Sequence, residues 1–241
     1  MKAVTHIHTE YSWDSRIRIA RLAEILVASE IELAMVCDHD SYEGALALRS
    51  HLRSSHVAIA VPIAAEVRTD RGDVVVVFEE ENDLPAIDRL RDSAILPQIV
   101  AECGGMVWLP HPFRGHPELG DLPSQSDVIE VFNSRCSDKK NQRGLELCES
   151  VGAVAGFGSD AHLASEVDRV VVEYEPAGTV LETLRGTPVC TAPSRTPKSS
   201  VMAAEVINGV KTRRPALVGY FAARYLKHKA VEWTRRIGSE G

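Results

Sequence analysis

The chain has 241 residues, 44% of them hydrophobic and 25% charged, with a formal net charge of −7: an ordinary globular composition, long enough to bury one sizeable core. The acidic balance excludes a general polyanion binder, so a phosphorylated ligand would need locally placed cations or metals. The five cysteines form no CxxC pair and are odd in number, which points to reduced, mostly buried thiols and away from a disulfide framework.

In chain order, short apolar runs alternate with helical patterns. The first run, residues 3–7, carries His6 and is followed by His8. No charged leader with an apolar stretch precedes it, and no apolar run reaches spanning length, so a cytoplasmic protein without membrane contact is expected. Residues 17–29 have helical spacing, with Ser15 as a possible cap. A second run, 33–37, leads into Asp38-His39-Asp40, and a third, 57–65, into Glu66. Run 74–78 precedes a helical stretch, 85–103, that ends at Gly104-Gly105. Run 106–109 leads to His111-Pro112, and run 128–132 carries Glu130 and precedes Asn133. A helical stretch over 139–150 follows, then run 153–157 before Ser159-Asp160-Ala161-His162, run 170–172, and a short helix over 177–184. Several runs are rich in Val and Ile and lack alternation, as suits strands of a parallel sheet buried on both faces. Strand and helix alternating this often predict an α/β barrel or a doubly wound sheet.

The composition shifts near Thr191. Residues 191–200 carry two prolines and three serines and read as a linker, and residues 201–241 hold 8 Lys/Arg against 3 Asp/Glu. This basic tail, helical but broken at Pro215, is expected to lay the apolar side formed by Leu217, Tyr220, Phe221 and Tyr225 on the main body. A dimer contact and nucleic-acid or membrane-surface contact through Arg213, Arg214, Arg224, Lys227, Lys229, Arg235 and Arg236 are the alternatives.

Metal-ligand residue types thus recur directly after apolar runs. In parallel α/β folds the C-terminal ends of strands face one side, where sites are built, so these residues should converge. His6 and His8, two apart on a strand, should point to one face, and Asp160 and His162 repeat that spacing. Histidines with carboxylates form a ligand set for Zn, Mn or Fe, and several carboxylates favour bridging of neighbouring ions.

The motifs His6-Ile7-His8-Thr9 with Tyr11-Ser12 and Asp14, then Asp38-His39-Asp40, Glu66, His111-Pro112 and Gly158-Ser159-Asp160-Ala161-His162 resemble the PHP (polymerase and histidinol phosphatase) family, over about residues 3–165. The resemblance implies a distorted, TIM-like (β/α)7 barrel over residues 1–196, with 197–241 as a helical extension. It further implies two or three divalent metals and phosphoesterase activity. In the family's arrangement His6, His8, Glu66 and Asp160 hold a first metal, Glu66 bridges to a second that His111 also binds, and Asp14, His39 and His162 hold a third. The family's usual histidine on the strand after the glutamate is missing from residues 72–76; Asp73 is the candidate substitute. Arg114 is a candidate phosphate clamp, with Arg68 and Arg135, which also follow strand ends, ranked behind it, and Asp40 or a non-ligating histidine is a candidate acid. Asp38 is read as a partner that fixes an imidazole. The expected substrate is a small phosphorylated metabolite or a nucleotide. A nuclease acting on oligonucleotide ends, a non-catalytic binding module on the same fold, and a different metal-dependent amidohydrolase are the rival readings.

Overall fold

The computed structural model describes residues 1–82 and 84–238, with side chains described as far as Val231. The elements in chain order are β1 (Lys2–Ile7), α1 (Ile19–Ala28), β2 (Leu33–Val36), α2 (Glu43–Ser54), β3 (Ile63–Thr69), β4 (Gly72–Phe78), α3 (Leu96–Glu102), β5 (Met106–Leu109), β6 (Val128–Asn133), α4 (Asp138–Val151), β7 (Val154–Gly158), β8 (Val172–Glu173), α5 (Val180–Leu184), α6 (Lys198–Lys211) and α7 (Pro215–Gly238).

The strands form two sheets, ordered β2-β1-β8 and β3-β4-β5-β6-β7. Neither closes on itself, but isolated parallel bridges link Leu33 to Ala60, His39 to Glu66, and Ile7 to Ala161, joining the sheet edges beside the strand ends. The expectation of parallel strands holds for β1–β2, β5–β6 and β6–β7. It fails at β4, which runs antiparallel to both β3 and β5, and at β8, antiparallel to β1. The cause is a tight turn: Thr69 pairs with Gly72, whose φ of 117° only glycine adopts freely. A two-residue connection can only make a hairpin.

Helix α1 lays Ile19, Leu22, Ala23 and Leu26 against β1 and β2, and each fully buried leucine or isoleucine contributes about 2 kcal/mol. Its N-cap is Arg18, not Ser15; the Ser15 hydroxyl instead donates to the carbonyls of His8 and His162. The stretch 85–103 is helical only at a short 3-10 turn, Ile87–Leu90, and in α3, where Pro97 stands in the first turn. Helix α2 was not singled out from the sequence; it buries Ala45, Leu48 and Leu52 at helical spacing. Helix α4 ends at Gly152, whose φ of 71° makes it a left-handed cap. Cores on both faces of the β3–β7 sheet, built on Trp108, Val75 and Val77 on one side and on Val74, Val76 and Phe78 on the other, hold the strand ends in fixed relation.

Helices α6 and α7 pack on each other, and the Lys211 ammonium donates to the carbonyls of Glu10, Ser12 and Ser15 in the β1–α1 loop. The side chains of Arg235 and Arg236 lie outside the described residues. Among the described residues no helix is long and apolar enough to cross a membrane.

Candidate metal centre

The strand ends bring nine predicted residues together. His6 and His8 come from β1 and the loop after it, Asp14 from the β1–α1 loop, and His39 from the loop after β2. Glu66 and Asp73 stand on β3 and β4, His111 follows β5, and Asp160 and His162 follow β7. Their donor atoms gather in overlapping groups, each within 4.8 Å: His8, Asp14, His39 and His162; His6, His111 and Asp160; Glu66, Asp73 and His111.

Regular strand geometry does not produce this convergence. His6 has φ 60°, and the β1–β2 register shifts between Val4 and Ile7. Asp40, His111 and Asp160 are also left-handed, at φ 53°, 28° and 48°. Such backbone costs on the order of 1–3 kcal/mol per residue and persists where the surroundings enforce it. Here it turns the chain at the strand ends so that the rings of His6 and His8 face the same space, centroids 5.2 Å apart.

The middle of the cluster is a lattice of near contacts. His8 Nε2 is 3.2 Å from a Glu66 oxygen and 3.7 Å from an Asp160 oxygen; His6 Nε2 is 3.5 and 3.9 Å from the same two carboxylates. These buried nitrogens have no hydrogen-bond partner among the described residues, and neither has His8 Nδ1. Donor atoms spaced this way around a shared gap fit ligands that each bond one ion at about 2.0–2.2 Å. His111 Nε2 is 3.0 Å from Glu66, and His162 Nε2 and His39 Nε2 are 2.7 and 3.3 Å from Asp14.

Electrostatics agree with a cation site. Burial alone would raise the Glu66 pKa, but His39, His6 and His111 hold it well below the usual carboxylate range. Asp160 is likewise held down against burial, chiefly by Arg114 and His6. Asp14 is held down against burial by His162. Burial opposes charge on His39, yet Glu66 and Asp14 lift it to about 9. Burial and Arg135 lower His162 to about 4.

Around this set lies a buried support. Glu130 Oε1 is 2.6 Å from His6 Nδ1 and accepts from Trp108 Nε1, while Oε2 accepts from the His111 amide and Asn133 Nδ2. Sequence reasoning noted Glu130 at a strand end and gave it no role. The available signal was an acid inside an apolar strand, which must find partners when buried. Glu166, also unassigned, accepts from the His162 and Leu163 amides. Among the described residues no hydrogen bond or ion pair joins Asp38 to an imidazole; its carboxylate accepts from Thr9 N and Thr9 Oγ1, bracing the first loop. Asp73 reaches the cluster from β4 while also accepting from Arg68.

The two predicted catalytic residues differ. Arg114 is half-buried and donates to Asp160 at the edge of the cluster. The Asp40 carboxylate accepts from the Arg68 amide and from Arg91, and among the described residues no hydrogen bond or ion pair joins it to the histidines.

No family model matches the chain. An uncharacterized protein of Methanocaldococcus jannaschii is 29% identical over 185 residues, covering 72% of this chain and 70% of that protein. Among solved structures, PsfC from Pseudomonas syringae is 19% identical with a TM-score of 0.61, over 87% of this chain and 98% of that one. A two-domain protein from Bacteroides vulgatus, described as containing a predicted PHP-like metal-dependent phosphoesterase, is 14% identical with a TM-score of 0.63, over 80% of this chain and 65% of that one. At these identities the likeness is one of fold.

Proposed function

We propose that the chain is a metal-dependent hydrolase of phosphoesters, acting on a small phosphorylated metabolite or a nucleotide. The observation that carries this reading is the set of buried, unpartnered nitrogens on His6 and His8 facing the Glu66 and Asp160 carboxylates. The fold likeness to a protein with a predicted PHP-like phosphoesterase supports it. We read the three isolated parallel bridges between the sheet edges as a distorted barrel of the kind the resemblance implies.

His6, His8, Glu66 and Asp160 would hold one ion, Glu66 with His111 and Asp73 a second, and Asp14, His39 and His162 a third. This nitrogen-and-oxygen set suits Zn, Mn or Fe. Two or three such ions, when bound, supply Lewis acidity toward a phosphoryl oxygen and lower the pKa of water to about 7. The chain's own groups do the rest. Glu130 fixes the His6 ring through Nδ1 and leaves Nε2 directed at the gap. Arg114, half-exposed beside Asp160, offers a planar donor pair to phosphoryl oxygens. Trp13, stacked on His39 at 4.6 Å, covers one side of the cluster. Residues 197–241 act as a helical extension on the main body, a reading that the Lys211 contacts with the Asp14 loop support.

The test is hydrolysis of a phosphomonoester panel by purified protein reconstituted with Mn, Zn or Fe. A metal-dependent rate that falls by at least about a hundredfold in Asp160→Asn and His8→Ala is the expected result. A metal-dependent rate that survives both substitutions contradicts the assignment.

A further inference from the structure

Next to the histidine cluster, the segment after β6, the start of α4, residues 195–198, α6 and α7 line a half-open cavity of about 410 Å³. Among the described residues its charged lining is wholly cationic, namely Arg114, Arg135, Lys140, Arg195, Lys198 and Arg224, in a chain of net charge −7. Val201, Met202 and Phe221 make an apolar wall. Carboxylates approach from outside the lining: Asp160 at Arg114, Asp138 at 3.2 Å from Arg195, and Glu166 at 3.8 Å from Arg135.

Two features mark this cavity as a built anion site. The Arg135 side chain is only 6% exposed, and its Nε and Nη2 have no hydrogen-bond partner among the described residues. Neither atom reaches solvent, so Arg135 acts on an anion in the cavity through its buried charge. Ser137, the N-cap of the 14-residue helix α4, lines the cavity and makes no side-chain cap bond, so the positive end of that helix opens toward the same space. Arg114 connects the two regions, since it lines the cavity and donates to Asp160.

We propose that this cavity binds a second oxyanion of the substrate, a phosphate or carboxylate, while the scissile ester faces the histidine cluster. The inference rests on the phosphoester reading for its first group; the second site stands on Arg135, Lys140, Lys198 and α4. The preferred substrate is a small molecule with two anionic ends and an apolar or planar part that lies on Met202 and Phe221.

The experiment has two arms. In the first, full-length protein stripped of metal is titrated calorimetrically with inorganic phosphate. One phosphate per chain is expected, bound about tenfold or more weakly by the double variant Lys140→Ser/Lys198→Ser. Both lysines are exposed, so the variant should fold, and Arg135→Met gives a second reading of the buried charge. In the second arm the loaded enzyme is offered hexyl phosphate and its omega-carboxylate and omega-phosphate derivatives. A kcat/KM at least about tenfold higher for an omega-anionic member is expected, with the preferred member identifying the natural anion and the preference shrinking in the double variant. Absence of phosphate binding to the stripped protein, binding unchanged in both variants, or equal rates across the series overturns the proposal, as does tighter binding of a single-stranded oligonucleotide than of any omega-anionic ester. Binding to the stripped protein requires no hydrolysis. Phosphate binding without cleavage of any ester therefore refutes the phosphoesterase reading alone, and cleavage of hexyl phosphate without phosphate binding refutes the second site alone.

Discussion

Glu130 Oε1 lies 2.6 Å from His6 Nδ1, at the edge of the imidazole opposite the Nε2 that faces Glu66 and Asp160. The contact fixes the ring's orientation and lets one buried carboxylate govern a candidate ligand it stands behind. Burial pushes the Glu130 pKa up, but His6 and the bonds around it bring it below the usual value, so the acid is ionised and fully engaged. Removing its charge in Glu130→Gln should weaken metal affinity by about 10–100-fold without removing any ligand. Competition with a chelator measures this; affinity equal to wild type would show that the contact is structural only.

Gly158 supplies a steric test of the same support. A methyl group there would fall onto the Glu130 carboxylate, whereas one at Gly152 meets nothing within 4 Å. Gly158→Ala should therefore cost about 1–3 kcal/mol by overpacking and lower metal affinity. Gly152→Ala, at φ 71°, should cost about 1–2 kcal/mol by backbone strain and leave metal binding intact. Paired thermal melts and metal titrations of the two variants would separate the effects.

Lys211 ties α6 to the loop that bears Asp14 through three backbone carbonyls. Lys211→Met should cost about 1 kcal/mol, given partial exposure, and speed amide exchange across residues 10–16. The site built on Asp14, His39 and His162 should lose its ion first, visible as a drop of one metal per chain. Unchanged exchange in that loop would contradict the tie.

The pH dependence follows from His39 and His162. With no metal bound, His39 has its pKa raised from 6.5 to about 9, so its contribution to stability is complete below pH 6.5 and is lost as pH rises through 9. A ligand imidazole must be neutral. Metal uptake at pH 7 should therefore release protons from His39 and from His6, which, against burial, Glu130 and neighbouring acids hold well above its ordinary value, and none from His162, whose pKa is about 4. Apparent affinity should rise from pH 7 to 9. Calorimetry in buffers of different ionisation enthalpy would read the proton count.

Much of the centre was legible because its chemistry repeats: an apolar run, then His, Asp or Glu, at strand after strand. His6, His8, Glu66, His111 and Asp160 announce themselves this way, and Asp73 was singled out from the histidine missing on its strand. The architecture was less legible. The run Val74–Val77 is buried on both faces, so its pattern carries no information on strand direction, and only the two-residue turn before it makes β4 antiparallel. Asp38 sits among ligand types but serves Thr9, a distinction set by three-dimensional neighbours. Glu130 looked ordinary because its weight comes from burial, which a single sequence does not display. The left-handed backbone at His6, His111 and Asp160 was likewise invisible: His and Asp adopt it more readily than most residues, but a sequence does not show which of them do.

The account turns on ions sharing the gap between His6, His8, Glu66 and Asp160. The most direct measurement is elemental analysis of full-length protein reconstituted with Mn, Zn or Fe and freed of excess metal, alongside His8→Ala and Glu66→Gln. The account predicts two or three ions per chain in the wild type, at least one fewer in His8→Ala, and the largest loss in Glu66→Gln, whose carboxylate serves two positions. A wild-type protein that retains no more metal than the two variants would contradict it.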